Sequence, residues 1–197
     1  GGAVRGAVSG GAEGVLKLEA DESDLFTWRV KLAMPEGTEL HRQLCAHARG
    51  ARGGHMHGLP SLHPWAGFTA DGRGIAAPPS ADAHASEGRA VSAKDAAVSL
   101  ELTMPPDFPS APPFVRVVSP RFAFHTGHVT IGGSLCMELL TSAGWRSDFT
   151  LESVLVQVRA ALLEGGGRLD PRRAHVPYSR DEATRAFWRV ARQHGWE

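Results

Sequence analysis

Apolar and polar side chains alternate twice near the start of the chain. The first run goes from Val15 to Glu19; in the second, Phe26, Trp28, Val30 and Leu32 interleave with Thr27, Arg29 and Lys31. A period of two is what a half-buried β-strand requires. Two strands are predicted, with the cluster Asp21-Glu22-Ser23-Asp24 as the turn between them. Thr38 is placed to cap a short helix bearing Leu40 and Leu44 on one face. Alternation resumes at Val98, Leu100, Leu102 and Met104, with Ser99, Glu101 and Thr103 facing the other way, and this gives a third strand. After a proline-rich turn at 105–113, the valine-rich run from Phe114 to Val118 gives a fourth, stopped by Pro120.

The period then changes. Behind Thr150, residues Leu151, Val154, Leu155, Val158 and Leu162 share one helical face, and Gly165-Gly166-Gly167 ends the helix. The last helix opens with a capping box, Ser179-x-x-Glu182, and carries Ala183, Ala186, Phe187, Val190 and Ala191 on one stripe before Gly195. Four successive strands followed by helices predict an α+β domain on a four-stranded antiparallel meander with flanking helices. No internal repeat is visible.

Two segments fall outside this pattern. Residues 1–14 are mostly glycine, alanine and valine without helical period, and read as a flexible N-terminal segment. Residues 46–95 are rich in Gly, Ala, His and Pro. Their few large apolar side chains (Leu59, Leu62, Trp65, Phe68, Ile75) do not offset the entropy of ordering the chain, so a disordered insertion is expected there. The remainder of 15–197 forms one domain, as suits a chain of 197 residues.

Composition narrows the function classes. Lys+Arg and Asp+Glu both number 21, so no net field steers the chain onto nucleic acid or anionic lipid. Apolar runs such as Val154 to Val158 fall far short of the roughly 18 residues of a membrane span, and the start lacks a basic-then-apolar signal pattern. A soluble protein of the cytoplasm or nucleus is expected, with Gly1 and Gly2 readable as a cloning remnant. Cys45 and Cys136 sit in unlike surroundings and are expected to be reduced thiols, not a disulfide.

Candidate chemistry concentrates in residues 122–140, which combine a thiol, a glycine turn and two histidines, His125 and His128. Gly132 and Gly133, just before Cys136, let the backbone approach a substrate and are expected to leave N–H groups free for developing negative charge, which favours acyl chemistry on sulfur. The residues alone equally allow Cys136 as a buried small hydrophobe. A cysteine hydrolase using His125 or His128 is a further alternative, although nothing in the sequence orients either ring. A zinc site from Cys45, His47, His55, His57 and His63 has suitable ligands but irregular spacing in a segment expected to be disordered.

Longer blocks go further. Leu25-Phe26-Thr27-Trp28-Arg29-Val30-Lys31-Leu32, Phe108-Pro109-Ser110-Ala111-Pro112-Pro113-Phe114-Val115-Arg116-Val117, Cys136-Met137-Glu138-Leu139-Leu140-Thr141 with Gly144-Trp145, and His194-Gly195-Trp196 occur in that order. Together they resemble the ubiquitin-conjugating enzymes, and most closely the Q-type branch, from about residue 15 to the end excluding 46–95. The resemblance implies the ubiquitin-conjugating fold and an acyltransferase in which Cys136 accepts ubiquitin's C-terminal acyl group from an activating enzyme. The thioester then passes to an amine, usually a lysine, of a protein substrate or to a ligase. A non-catalytic binding module, as in relatives lacking the cysteine, is disfavoured because Cys136 is present in its block. No cofactor and no metal is implied.

The family's oxyanion-stabilising asparagine lies eight residues before the cysteine. Thr126-Gly127-His128 occupies its motif here, so the resemblance makes His128 the candidate donor, with a residue that merely packs the loop as the other reading. Asp170 falls near the family's acid for orienting the lysine, although a solvated loop acid is the simpler reading. Glu138 is as readily structural as functional. Ser110 replaces a usual aromatic, and Arg146-Ser147-Asp148 replaces Ser-Pro-Ala, which weakens the expected hydrophobic contact with a ligase. No basic helix of the kind that opens the family's domain is legible in 1–14, so efficient charging is expected to draw on segments beyond this sequence.

Overall fold

The computed structural model describes residues 14–21, 24–52 and 96–196. Strands β1 (Val15–Asp21), β2 (Asp24–Ala33), β3 (Ala97–Thr103) and β4 (Phe114–Ser119) form one antiparallel sheet in the order β1-β2-β3-β4. The predicted meander is therefore present. Helix α1 (Glu39–Arg52) follows β2, and α2 (Leu151–Glu164) and α3 (Arg180–His194) follow the sheet.

Register explains the two faces. Trp28 pairs with Leu102, Val30 with Leu100 and Leu32 with Val98, while Leu100 and Leu102 pair with Val117 and Val115. Because side chains alternate across a strand, this register puts one apolar row on one face, where it joins Val154, Leu155, Val158 and Leu162 of α2 in a single core. The other face carries buried polar groups: Thr27, Glu101 and Arg116. Glu101 and Arg116 are cross-strand partners and form a 3.0 Å ion pair. Arg180, at the start of α3, reaches the same Glu101 carboxylate at 2.8 Å, so the polar face anchors that helix.

The caps follow the sequence. Thr150 accepts from Ser153 N at 3.1 Å at the head of α2, and both halves of the Ser179–Glu182 capping box are made at the head of α3. Thr38 accepts from His41 N at 3.2 Å. The helix behind it is longer than expected and corrects the start of the insertion: α1 continues through Ala46 to Arg52, with Ala48 buried. Leu40, Leu44 and Ala48 repeat at intervals of four, and this stripe anchors the helix although Gly50 weakens its end. The expectations for 1–13 and 53–95 lie outside the described residues. Among the described residues no helix is long and apolar enough to cross a membrane.

Candidate active site

The stretch before Cys136 is built as a small hairpin laid along β4. Val129 bridges Leu135, and Ser134 bridges Arg116. Leu135 N donates to Val115 O at 3.0 Å, and Val117 N donates to Gly133 O at 2.8 Å. Ser134 and Leu135 are buried by this pairing, and the next residue, Cys136, emerges half-buried at the wall of a groove of about 470 Å³. Its backbone N–H donates to His128 O at 2.9 Å.

Glycine is required at the hairpin's turn for packing. Gly133 has φ +94°, and a Cβ there would lie 2.5 Å from the Tyr178 ring. At Gly132 a Cβ would meet the Glu182 carbonyl of α3 at 2.2 Å. The expectation of free glycine N–H groups needs correction at Gly133, whose N–H donates to Thr130 O at 2.9 Å and closes the turn. Their small size lets the Cys136 hairpin press against α3.

His128 shares the groove with Cys136. Its backbone is left-handed at φ +55°, a conformation uncommon for a residue with a Cβ. Its ring lies over Gly165, where an added Cβ would come within 2.7 Å of Cδ2. Gly127 N donates to Gly165 O at 2.8 Å, which ties the loop to the end of α2. His125 is also left-handed, at φ +60°, and lines the groove with its ring edge-on to Phe124. The second wall comes from α3, through Ala186, Arg189, Val190, Gln193 and His194. Sequence reasoning placed these residues on a helix without connecting them to the cysteine.

Burial pushes the Cys136 thiol above its ordinary pKa. At neutral pH the resting group is therefore the thiol. The site is poorly suited to a hydrolase that needs a standing thiolate, and it suits an acceptor whose partner arrives as a reactive thioester.

Other predicted residues lie elsewhere or serve the scaffold. Asp170 accepts from Arg172 N at 2.9 Å and Arg173 N at 3.1 Å; these backbone bonds, first that of Arg172, hold its carboxyl below the ordinary range. It caps the turn at 171–175 and is not among the groove-lining residues. Glu138 begins a 3-10 turn, Glu138–Leu140, and its carbonyl accepts from Thr141 N at 2.9 Å and Thr141 Oγ1 at 2.7 Å. The adjoining Trp145 donates Nε1–H to Pro109 O at 2.8 Å and so joins the loop after the cysteine to the proline-rich turn. Arg146 and Asp148 pair with each other at the surface. Cys45 lies 3.6 Å from His41 Nε2, while His55, His57 and His63 lie outside the described residues. Among the described residues no three His, Cys, Asp or Glu side chains form a metal-binding group.

A polar frame missed in the sequence supports the loop. Tyr178 OH accepts from Phe122 N at 2.9 Å, and buried Arg121 lies 4.2 Å over the Tyr178 ring. Arg121 also pairs with Glu182 at 3.2 Å, so the residue entering the cysteine segment is bound to the first turn of α3. The readable signal was limited to the neighbouring Glu101 and Arg116, opposite charges that face each other on adjacent strands.

A protein-family model described as ubiquitin-conjugating enzyme matches residues 94–194. The Q-like protein 1 of the ubiquitin-conjugating enzymes of Homo sapiens is 42% identical over 104 residues, covering 50% of this chain and 63% of the relative. Ubiquitin-conjugating enzyme E2 Q1 of Homo sapiens is 38% identical over 102 residues, covering 50% of this chain and 24% of that protein. The chain thus spans less than two thirds of the length of these relatives. Among solved structures, human ubiquitin-conjugating enzyme E2 G1 aligns with a TM-score of 0.42 and 17% identity, covering 77% of this chain and 80% of that one. The family match takes in the strand β4, the Cys136 hairpin, the groove and both flanking helices, and the chain belongs to the ubiquitin-conjugating enzyme family, in its Q-type branch.

Proposed function

We propose that this chain carries ubiquitin as a thioester on Cys136 and transfers it to an amine. The observation that supports this most is the position of the thiol: half-buried at a groove wall, directly after a rigid hairpin, inside the segment matched by the family. In the first step Cys136 Sγ, having lost its proton, bonds to the carbonyl carbon of ubiquitin's C-terminus, and the activating enzyme's thiolate leaves. In the second, an amine nitrogen attacks that carbon, the C–S bond breaks, the nitrogen loses a proton and Cys136 regains a thiol. The developing thiolate at Cys136 is met chiefly by desolvation, so chemistry depends on the reactivity of the incoming thioester.

The tetrahedral oxyanion of the second step needs a donor about 3 Å away. His128 is assigned that role because its ring and Cys136 share the groove and its backbone carbonyl is bonded to the Cys136 N–H. A neutral imidazole offers one N–H, and a protonated ring offers two. The partners are ubiquitin, an activating enzyme, protein substrates and a ligase, in cytoplasm or nucleus. Incubation with ubiquitin, activating enzyme and ATP, followed by a non-reducing gel, tests the assignment. A thiol-labile adduct absent from Cys136→Ser is expected.

A further inference from the structure

We infer that the outward face of α3, formed by Arg185, Trp188, Arg189 and Arg192, docks an acidic segment of the acceptor protein that carries an apolar side chain. These positions are spaced i, i+3, i+4 and i+7, so they share one face. All four are exposed and, with Thr184, line a depression of about 560 Å³.

Three observations set the chemistry of the occupant. First, none of the three arginines forms a salt bridge among the described residues, although Arg180 on the same helix pairs with Glu101 and surface Arg146 pairs with Asp148. Asp181, one turn before Arg185, makes no ion pair with it. The helix dipole accounts for Arg192 in the last turn, whose Nε donates to Trp188 O at 3.2 Å, but not for Arg185 and Arg189 in mid-helix. Second, Trp188 is 52% exposed yet braced: its ring meets Phe187 edge-on at 5.5 Å, and Phe187 meets Phe114 of β4 in the same way at 5.5 Å. A rigid exposed tryptophan among arginines has the composition of an interface anchor. Third, the chain's formal charge is zero, so this is a local cluster, not the overspill of a basic protein.

Free guanidinium groups fit carboxylates in a bidentate way, and the Trp188 face offers a seat for one apolar side chain. Single-stranded nucleic acid fits less well, because it is held by a basic groove with successive stacking aromatics, and this face has one aromatic. Arg189 also lines the Cys136 groove, so the patch is continuous with the site of transfer. Docking there holds an acceptor beside the thioester and raises its local concentration. The acceptor role rests on the acyl-transfer reading; the docking chemistry does not.

Fluorescence polarisation with a labelled peptide of glutamates flanking one leucine, added to the whole chain, measures it. The peptide should bind, its lysine-for-glutamate counterpart should not, and salt should weaken the complex. Arg185→Glu and Trp188→Ala should each weaken binding by about tenfold with unchanged melting curves; if Trp188→Ala melts early, Arg185→Gln carries the same test with a smaller loss. Equal binding of the lysine peptide, indifference to these substitutions, or tighter binding of single-stranded poly(dT) overturns the inference. Charging of Cys136 is read separately in the same preparation. Normal charging without peptide binding removes the docking surface alone, whereas peptide binding without charging removes the acyl-transfer reading.

Discussion

The Cys136 N–H donates to the His128 carbonyl at 2.9 Å, and His128 makes that bond from a left-handed backbone at φ +55°. The nucleophile's backbone and the candidate oxyanion donor are therefore fixed to one another, with the His128 ring seated on Gly165 at the end of α2. Backbone geometry and side-chain chemistry at 128 separate by choice of substitution. Alanine would keep the left-handed strain of about 1 kcal/mol that His128 already bears, whereas glycine relieves it.

His128→Gly should therefore fold at least as stably as the parent while losing the ring N–H. If that N–H stabilises the oxyanion, discharge of the Cys136 thioester to free amine should slow on the order of a hundredfold, as for other single donors. Single-turnover discharge, with charging measured in parallel, checks this. Unchanged discharge in a folded His128→Gly protein removes the catalytic role.

Tyr178→Phe should cost about 1–3 kcal/mol, because it leaves the buried Phe122 N–H without its 2.9 Å acceptor. Burial, with the Phe122 hydrogen bond and the Arg121 charge opposing it, already raises the tyrosine's pKa, so the hydroxyl serves as a neutral partner. Chemical denaturation checks the magnitude. The loss should appear as a shifted midpoint with an unchanged slope.

Glu101 predicts a pH dependence. Burial acts to raise its pKa, but hydrogen bonds and charge from Arg116 and Arg180 outweigh it and bring the carboxyl below its ordinary value. A depressed folded pKa contributes stability that is present above the unfolded value of ~4.3 and is lost as pH falls through the folded one. Glu101→Gln should lose on the order of 3 kcal/mol at neutral pH, since Arg116 stays buried without its counter-charge. Its melting temperature should fall less steeply with acid than the parent's. Glu182, also held low by the Ser179 N–H and Arg121, keeps some of that slope.

The sheet, its order and both late helices were legible because their apolar periods are unbroken and their caps are explicit: Thr150, the Ser179–Glu182 box and the glycines after Glu164. The end of α1 was not, because Ala46, His47, Arg49 and Gly50 look like linker, and only Ala48 continues the buried stripe of Leu40 and Leu44. At the site, Cys136 and His128 stood out by their block and spacing. What escaped was the wall from α3. Arg189, Val190, Gln193 and His194 are distant in sequence, and tertiary contacts such as the close approach at Gly132 and the Arg121–Glu182 pair bring that helix to the cysteine. The Gly133 N–H was misjudged for a related reason, since conformational freedom does not reveal which carbonyl, here Thr130, will take it.

Alkylation should report the state of the thiol. With its pKa raised by burial, Cys136 should react with iodoacetamide more slowly than free cysteine at neutral pH and gain rate as pH rises, because the thiolate is the attacking species. Mass mapping of the modified peptide checks it. A rate flat across neutral pH would mean a preformed thiolate and would favour hydrolase chemistry.

The most direct measurement is the charging gel. With ubiquitin, activating enzyme and ATP, the parent chain should form one adduct that reductant removes. Cys136→Ser should form either none or an ester that survives reductant, and Cys45→Ser should charge like the parent. A thiol-labile adduct that persists in Cys136→Ser and disappears in Cys45→Ser would contradict the assignment of Cys136.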